Sequence, residues 1–96
     1  MRTVTLKDGT QYELDWCSAD KGVCHINVVS GDSIVELANK FGNRDINCEI
    51  RASYDESQPD EVYEGYTELH SIAIDSWSTG TTMVRLMTPE RKAQDI

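Results

Sequence analysis

The sequence predicts an α+β domain in which five to six strands form a mainly antiparallel sheet, or a small partly closed barrel, with one short helix in the order βββ-α-βββ. Three observations lead there. Apolar residues alternate with polar ones through the first thirty positions, one capped helical stripe follows, and strand-like alternation then runs to Met87. A chain of 96 residues has room for one modest core, so residues 1–88 read as a single domain and 89–96 as a flexible charged tail.

The elements follow in order. Val4 and Leu6 alternate with polar neighbours, Asp8-Gly9 supplies a tight-turn dipeptide, and Tyr12, Leu14 and Trp16 resume the alternation, which makes a β-hairpin. After a polar turn at 18–22, Cys24, Ile26 and Val28 fall on one face of a third strand, with His25 and Asn27 on the other. Ser33 followed by Glu36 is a capping box that starts a helix. Ile34, Leu37, Ala38 and Phe41 form its apolar stripe, and Gly42 is placed to end it in a left-handed conformation. Ile46, Cys48 and Ile50 predict a fourth strand, and 53–61, with Pro59 inside, an exposed polar loop. Val62 to Asp75 predicts one long strand whose apolar parity changes, so that a bulge or bend falls between Gly65 and Ser71. Residues 76–80 then turn the chain into a last strand, Thr81 to Met87.

Composition excludes several function classes. No apolar run approaches the roughly 20 residues of a membrane span, and the first residues enter strand alternation directly, without the apolar run of a secretory signal. Three cysteines, Cys17, Cys24 and Cys48, with no C-x-x-C pair, argue against a disulfide framework and for reduced thiols in a cytoplasm. A net charge of −8 opposes direct binding to DNA. Between Ala52 and Val84 there is no Lys or Arg, while Asp55, Glu56, Asp60, Glu61, Glu64, Glu68 and Asp75 supply seven acids. Elsewhere ten acids face nine bases, so this third of the chain carries nearly all the net charge.

Catalytic and cofactor signals are weak. Cys17, Cys24, His25, Cys48 and His70 include zinc-ligand types, but no paired knuckle spacing brings them together, and adjacent Cys24 and His25 point to opposite faces of a strand. Cys17 with His25 or His70 has the residue types of a thiol hydrolase without an activating motif. The glycines are single and scattered, so no loop cradles a phosphate. The expectation is therefore no enzyme, no metal and no cofactor.

The acidic strand is the stronger clue. In an extended chain Asp60, Val62, Glu64, Tyr66 and Glu68 share one phase, with same-face residues about 6.8 Å apart. A carboxylate row at that interval suits a Lys/Arg groove that otherwise holds nucleic acid. Asp55, Glu56, Asp60, Glu61, Glu64 and Glu68 would then supply charge, and Tyr63, Tyr66 and Trp77 apolar anchoring. The competing explanation is an edge strand that carries charge to prevent sheet-to-sheet aggregation.

The stretches TLKDGTQYELDWCSA, FGN after the capped helix, VYEGYTEL and TGTTMVRL resemble a group of small, mostly uncharacterised proteins of phages and prophages of gut-type bacteria. The resemblance runs from Thr3 to Met87 and carries no catalytic residue. It implies one of two roles. The first is an anti-CRISPR protein in the cytoplasm of an infected or lysogenic host, bound to a basic region of a type II CRISPR nuclease or its guide complex. The second is a virion accessory protein bound to phage tail subunits.

Overall fold

The structure, a computed structural model, describes residues 2–74 and 80–94. The elements are β1 (Thr3–Leu6), β2 (Gln11–Asp20), β3 (Val23–Val29), α1 (Ile34–Phe41), α2 (Arg44–Asn47), β4 (Glu49–Ser53), β5 (Glu61–Glu64), β6 (Glu68–Ile74), β7 (Thr81–Met87) and α3 (Pro89–Gln94). The fold is α+β with an antiparallel sheet, but the expected five to six strands and one helix become, among the described residues, seven strands and three short helices.

The strand order is β5-β4-β1-β2-β3-β7-β6, with every neighbouring pair antiparallel. The edges β5 and β6 are consecutive in the chain, separated only by Gly65, Tyr66 and Thr67. That link reaches at most about 14 Å, whereas a flat seven-stranded sheet would hold its edges roughly 29 Å apart. The sheet must therefore coil until its edges approach. Six antiparallel steps also leave β5 and β6 running in the same sense. They are two arms of one bent path, the first paired with β4 and the second with β7. No ladder joins the arms to each other, so the sheet remains open in its hydrogen bonding.

This corrects the expectation of one continuous strand from Val62. The path bends at Gly65, whose φ of +84° favours glycine, and a separate register shift follows between Leu69 and Ser71. The expected turn at 76–80 lies outside the described residues except for Gly80, as does Asp75.

The concave face holds the core. Val4, Leu6, Tyr12, Leu14, Ile50 and Ala52 meet Cys24, Ile26, Val28, Val84 and Leu86, and Leu37 and Phe41 of α1 close it from one side. Ser33 caps α1 as expected, its Oγ accepting from Glu36 N at 3.2 Å. Only part of the predicted stripe is buried: Leu37 and Phe41 are inside, while Ile34 is exposed. Phe41 stacks on Tyr12 with ring centroids 5.5 Å apart. Gly42 ends the helix at φ −87° rather than in the left-handed region. Its glycine is explained by space, since a Cβ would stand 2.6 Å from the Ala38 carbonyl oxygen.

Two further expectations change. The fourth strand does not start at Ile46, because Asn43 caps a one-turn helix through Asp45 N at 3.0 Å and β4 begins only at Glu49. Part of the segment expected as a tail carries regular structure. Pro89–Gln94 is helical, Thr88 N donates to the Gly22 carbonyl at 2.9 Å, and Lys92 reaches Glu68 at 3.6 Å.

Candidate functional site

The acidic region divides into a loop, the first arm and the second arm. In the loop, the Asp55 carboxylate accepts from Ser57 N at 2.7 Å, a local turn that replaces ladder bonds before Pro59. These Ser57 hydrogen bonds hold Asp55 below its ordinary carboxylate range. Ser53, Asp55, Glu56, Gln58 and Asp60 line a shallow depression of about 500 Å³. Asp60 is not free of counter-charge: Arg51 of β4 lies 3.7 Å from it and 3.6 Å from Glu49.

On β5, Val62 and Glu64 are exposed, and Tyr63 turns inward against the core. Glu61 is exposed, yet its carboxylate accepts the Tyr63 hydroxyl proton. Glu56, Glu61 and Glu64 have no cationic partner among the described residues.

The common phase expected from Asp60 to Glu68 breaks at Gly65. Tyr66 packs on the core and meets Tyr63 edge to face, centroids 6.4 Å apart. Glu68 is only 8% exposed, with Arg44 at 3.0 Å, Lys92 at 3.6 Å and Thr67 Oγ1 donating at 3.2 Å. Burial pushes its carboxyl up, but the hydrogen bond and charge of Arg44, with Thr67 and Lys92, outweigh this and leave it lowered. Glu68 therefore joins α2, α3 and β6, and stands apart from the exposed stripe. Tyr63 and Tyr66, expected as anchors for a partner, face inward, and Trp77 lies outside the described residues.

A second constellation had no signal in the periodicity. The register between β2 and β3 shifts between Leu14 and Trp16, with Asp15 as the extra residue. Its Oδ2 accepts from Asn27 Nδ2 at 3.0 Å. The bulge sends Trp16 outward, 40% exposed, and brings Cys17 to the concave side opposite Ile26. There Cys17 Sγ lies 3.1 Å from Tyr54 Oη and 3.6 Å from Tyr63 Oη. Tyr54, expected in the exposed loop at 53–61, instead continues the inward phase of Ile50 and Ala52 and packs against the core. Burial raises both phenols, Tyr54 to about 12, assisted by the Cys17 hydrogen bond. At Tyr63 the Glu61 hydrogen bond adds to burial. Both remain protonated donors at neutral pH.

The other sequence candidates stay apart. Cys24 is buried in the core and its thiol is pushed up to about 12 by that burial. Cys48 follows α2, with its sulfur 3.9 Å from the Asp45 carbonyl oxygen. His70 is exposed in the β6 irregularity beside Ser71, and neither histidine hydrogen-bonds Cys17. Among the described residues no three His, Cys, Asp or Glu side chains are placed to hold a metal ion, and no helix is long and apolar enough to cross a membrane. In comparisons by sequence and by fold, no protein-family model, curated protein or solved structure matches the chain.

Proposed function

We propose that the protein is a non-enzymatic inhibitor of anti-CRISPR type, whose acidic surface occupies a basic nucleic-acid-binding region of a CRISPR effector and blocks DNA recognition. The observation that carries the reading is the exposed set Asp55, Glu56 and Glu64, on one loop and the outward face of one edge strand of a segment without Lys or Arg, joined by Glu61, which is exposed but lies on the other face, opposite Ala52 and at the Tyr63 hydroxyl. A type II nuclease holds its RNA–DNA heteroduplex in a positively charged channel and reads the adjoining motif with arginines, so carboxylates presented in an extended array compete with phosphates for the same cations. The rigid sheet beneath β5 fixes the array before binding, which limits the ordering cost. Glu68 has no part in this contact because its charge is already matched. Asp60 contributes weakly, sharing Arg51.

The test is cleavage of target DNA by a type II effector with and without the protein. The native chain should suppress cleavage, and Glu56→Lys, Glu61→Lys and Glu64→Lys together should abolish the effect, while a cooperative urea transition, at a lower midpoint because Glu61 no longer accepts from Tyr63, shows that the variant is folded. Full inhibition by the triple variant would remove the acidic surface from the mechanism, and no inhibition by the native chain would end the reading. A stable large oligomer in light scattering, with no effect on the nuclease, would favour the virion role instead.

A further inference from the structure

The convex face of the sheet, away from the core, carries a row of polar side chains that takes no part in the acidic surface. Because Cys24, Ile26, Val84 and Leu86 point into the core, His25 and Arg85 between them point the other way. The register sets four residues side by side across β2, β3, β7 and β6: Ser18 opposite His25, His25 opposite Arg85, and Arg85 opposite Ser71. Directly opposed side chains stand about 5 Å apart at Cβ. Ser18 and Ser71 are exposed, and His25 and Arg85 are half-buried. The register shift after Leu69 inserts His70 beside Ser71, with Nδ1 3.3 Å from the hydroxyl oxygen.

Arg85 is the unusual member of the row. Arg44 and Arg51 each hold carboxylates, and Arg2 donates to the Asp15 carbonyl oxygen. Arg85 makes no side-chain hydrogen bond or ion pair among the described residues, although the chain has 17 acids for nine Lys and Arg. Its Nε is enclosed by protein and meets no acceptor there, a deficit that a native structure relieves with a water or an ion. By register the nearest acids on this face, Asp20 and Glu68, lie one row away, and Glu68 is already matched by Arg44 and Lys92. The row therefore presents a cation and neutral donors with no acid among them, and β2, β3 and β7 beneath it are each paired on both sides.

We propose that this row binds a phosphate group, free or carried as a monoester, with Arg85 as the charged anchor and His25 and Ser71 as flanking donors. A guanidinium fork by itself fills the two oxygens of a carboxylate. A tetrahedral phosphate leaves further oxygens for donors on either side of the fork, where His25 and Ser71 stand. When His70 gives its Nδ1 proton to the Ser71 oxygen, the Ser71 hydroxyl proton is free for the ligand. Half-burial of Arg85 strengthens its attraction for an anion relative to a fully hydrated charge. Trp16, 40% exposed in the next row of β2, borders the site with an apolar surface against which the organic part of an ester can rest.

The isotope-labelled chain, titrated with inorganic phosphate and separately with phenyl phosphate at constant ionic strength, tests the site by nuclear magnetic resonance. The Arg85 Nε–H signal and the backbone amides of His25 and Ser71 should shift and saturate. A hydrogen bond to a charged group corresponds to about 10–150-fold in affinity. Arg85→Gln should therefore weaken binding at least about tenfold, and Arg85→Lys, which keeps the charge and loses the fork, should recover only part of it. Ser71→Ala should weaken it about threefold. Acetate should bind at least about tenfold more weakly than phosphate, since it leaves the flanking donors unused. Tighter binding of phenyl phosphate identifies the monoester as the form taken, and tighter binding of inorganic phosphate the free ion. Amide signals that overlay the native ones away from the row show that Arg85→Gln is folded; where they do not, Ser71→Ala and the acetate comparison decide. Shifts that fail to saturate, phosphate binding that survives Arg85→Gln unchanged, or acetate bound as tightly as phosphate overturns the proposal.

Discussion

The two arms of the bent path, β5 and β6, begin with similar chemistry and end in opposite states. Each carries glutamate at an outward phase, Glu64 on the first arm and Glu68 on the second. The first arm is four residues long, exposed, and leaves Glu61 and Glu64 without cations among the described residues. The second arm lies beside α1, and its glutamate is closed in by Arg44 and Lys92. Three residues separate a carboxylate available to a partner from one that fastens helices to the sheet. Acid content along a sequence therefore does not measure acid surface; what decides is which element the next turn of chain lays over it.

Removing what supports the second arm should have the largest effect. Phe41→Ala leaves a cavity beside Tyr12 under α1 and should cost about 3–5 kcal/mol, read as a lowered urea midpoint, whereas Val62→Ala on the exposed arm should stay within about 0.5 kcal/mol. Next in size is Glu68→Gln, which leaves Arg44 and Lys92 facing a neutral group and should lower the midpoint far more than Glu64→Gln does. The contrast sharpens with pH. Glu68 is lowered in the folded protein from its ordinary 4.5, so its contribution is complete above about that pH and is lost as pH falls through the lower, folded value. Acid unfolding followed by circular dichroism should therefore begin at lower pH and be less steep in Glu68→Gln than in the native chain once the two are matched at neutral pH. A smaller loss, about 1 kcal/mol, is expected for Gly65→Ala, because φ is +84° although a Cβ would meet nothing. The smallest effect belongs to Glu64→Gln, within about 0.5 kcal/mol. A Glu64→Gln change as costly as Glu68→Gln would erase the distinction between the arms.

Local chemistry made much of the fold legible. The Asp8-Gly9 hairpin, the Ser33 cap and the alternation of Cys24, Ile26 and Val28 each state their structure within a few residues, and each forms as expected. Features settled by distant packing were not legible. Ile46, Cys48 and Ile50 alternate like a strand, yet Asn47 is drawn fully inside, where its Nδ2 donates to the carbonyl oxygens of Phe41 and Thr67, and the segment before β4 closes into a helical turn. Asn27, placed by alternation on the face opposite Cys24, Ile26 and Val28, is fully buried as well, beside the bulge at Asp15. At the candidate site the acids of the loop and β5 were readable as exposed. The fate of Glu68 depends on Arg44, 24 residues earlier, and on Lys92 of α3, neither visible from the strand pattern.

The coiled order of strands also bears on how the chain reaches its native state. β1, β2 and β3 form a local meander, but β1 waits for Ser53 opposite Thr3, and β3 waits for Met87 opposite Val23. Both flanks of the first-formed sheet are thus completed by segments synthesised much later, at the entropic cost of closing long loops. Until β7 arrives, the apolar edge of β3 stands unpaired, a template for the wrong strand. Folding should accordingly be slow for a chain of this length, and a truncation before Thr81 should aggregate rather than persist as a smaller sheet.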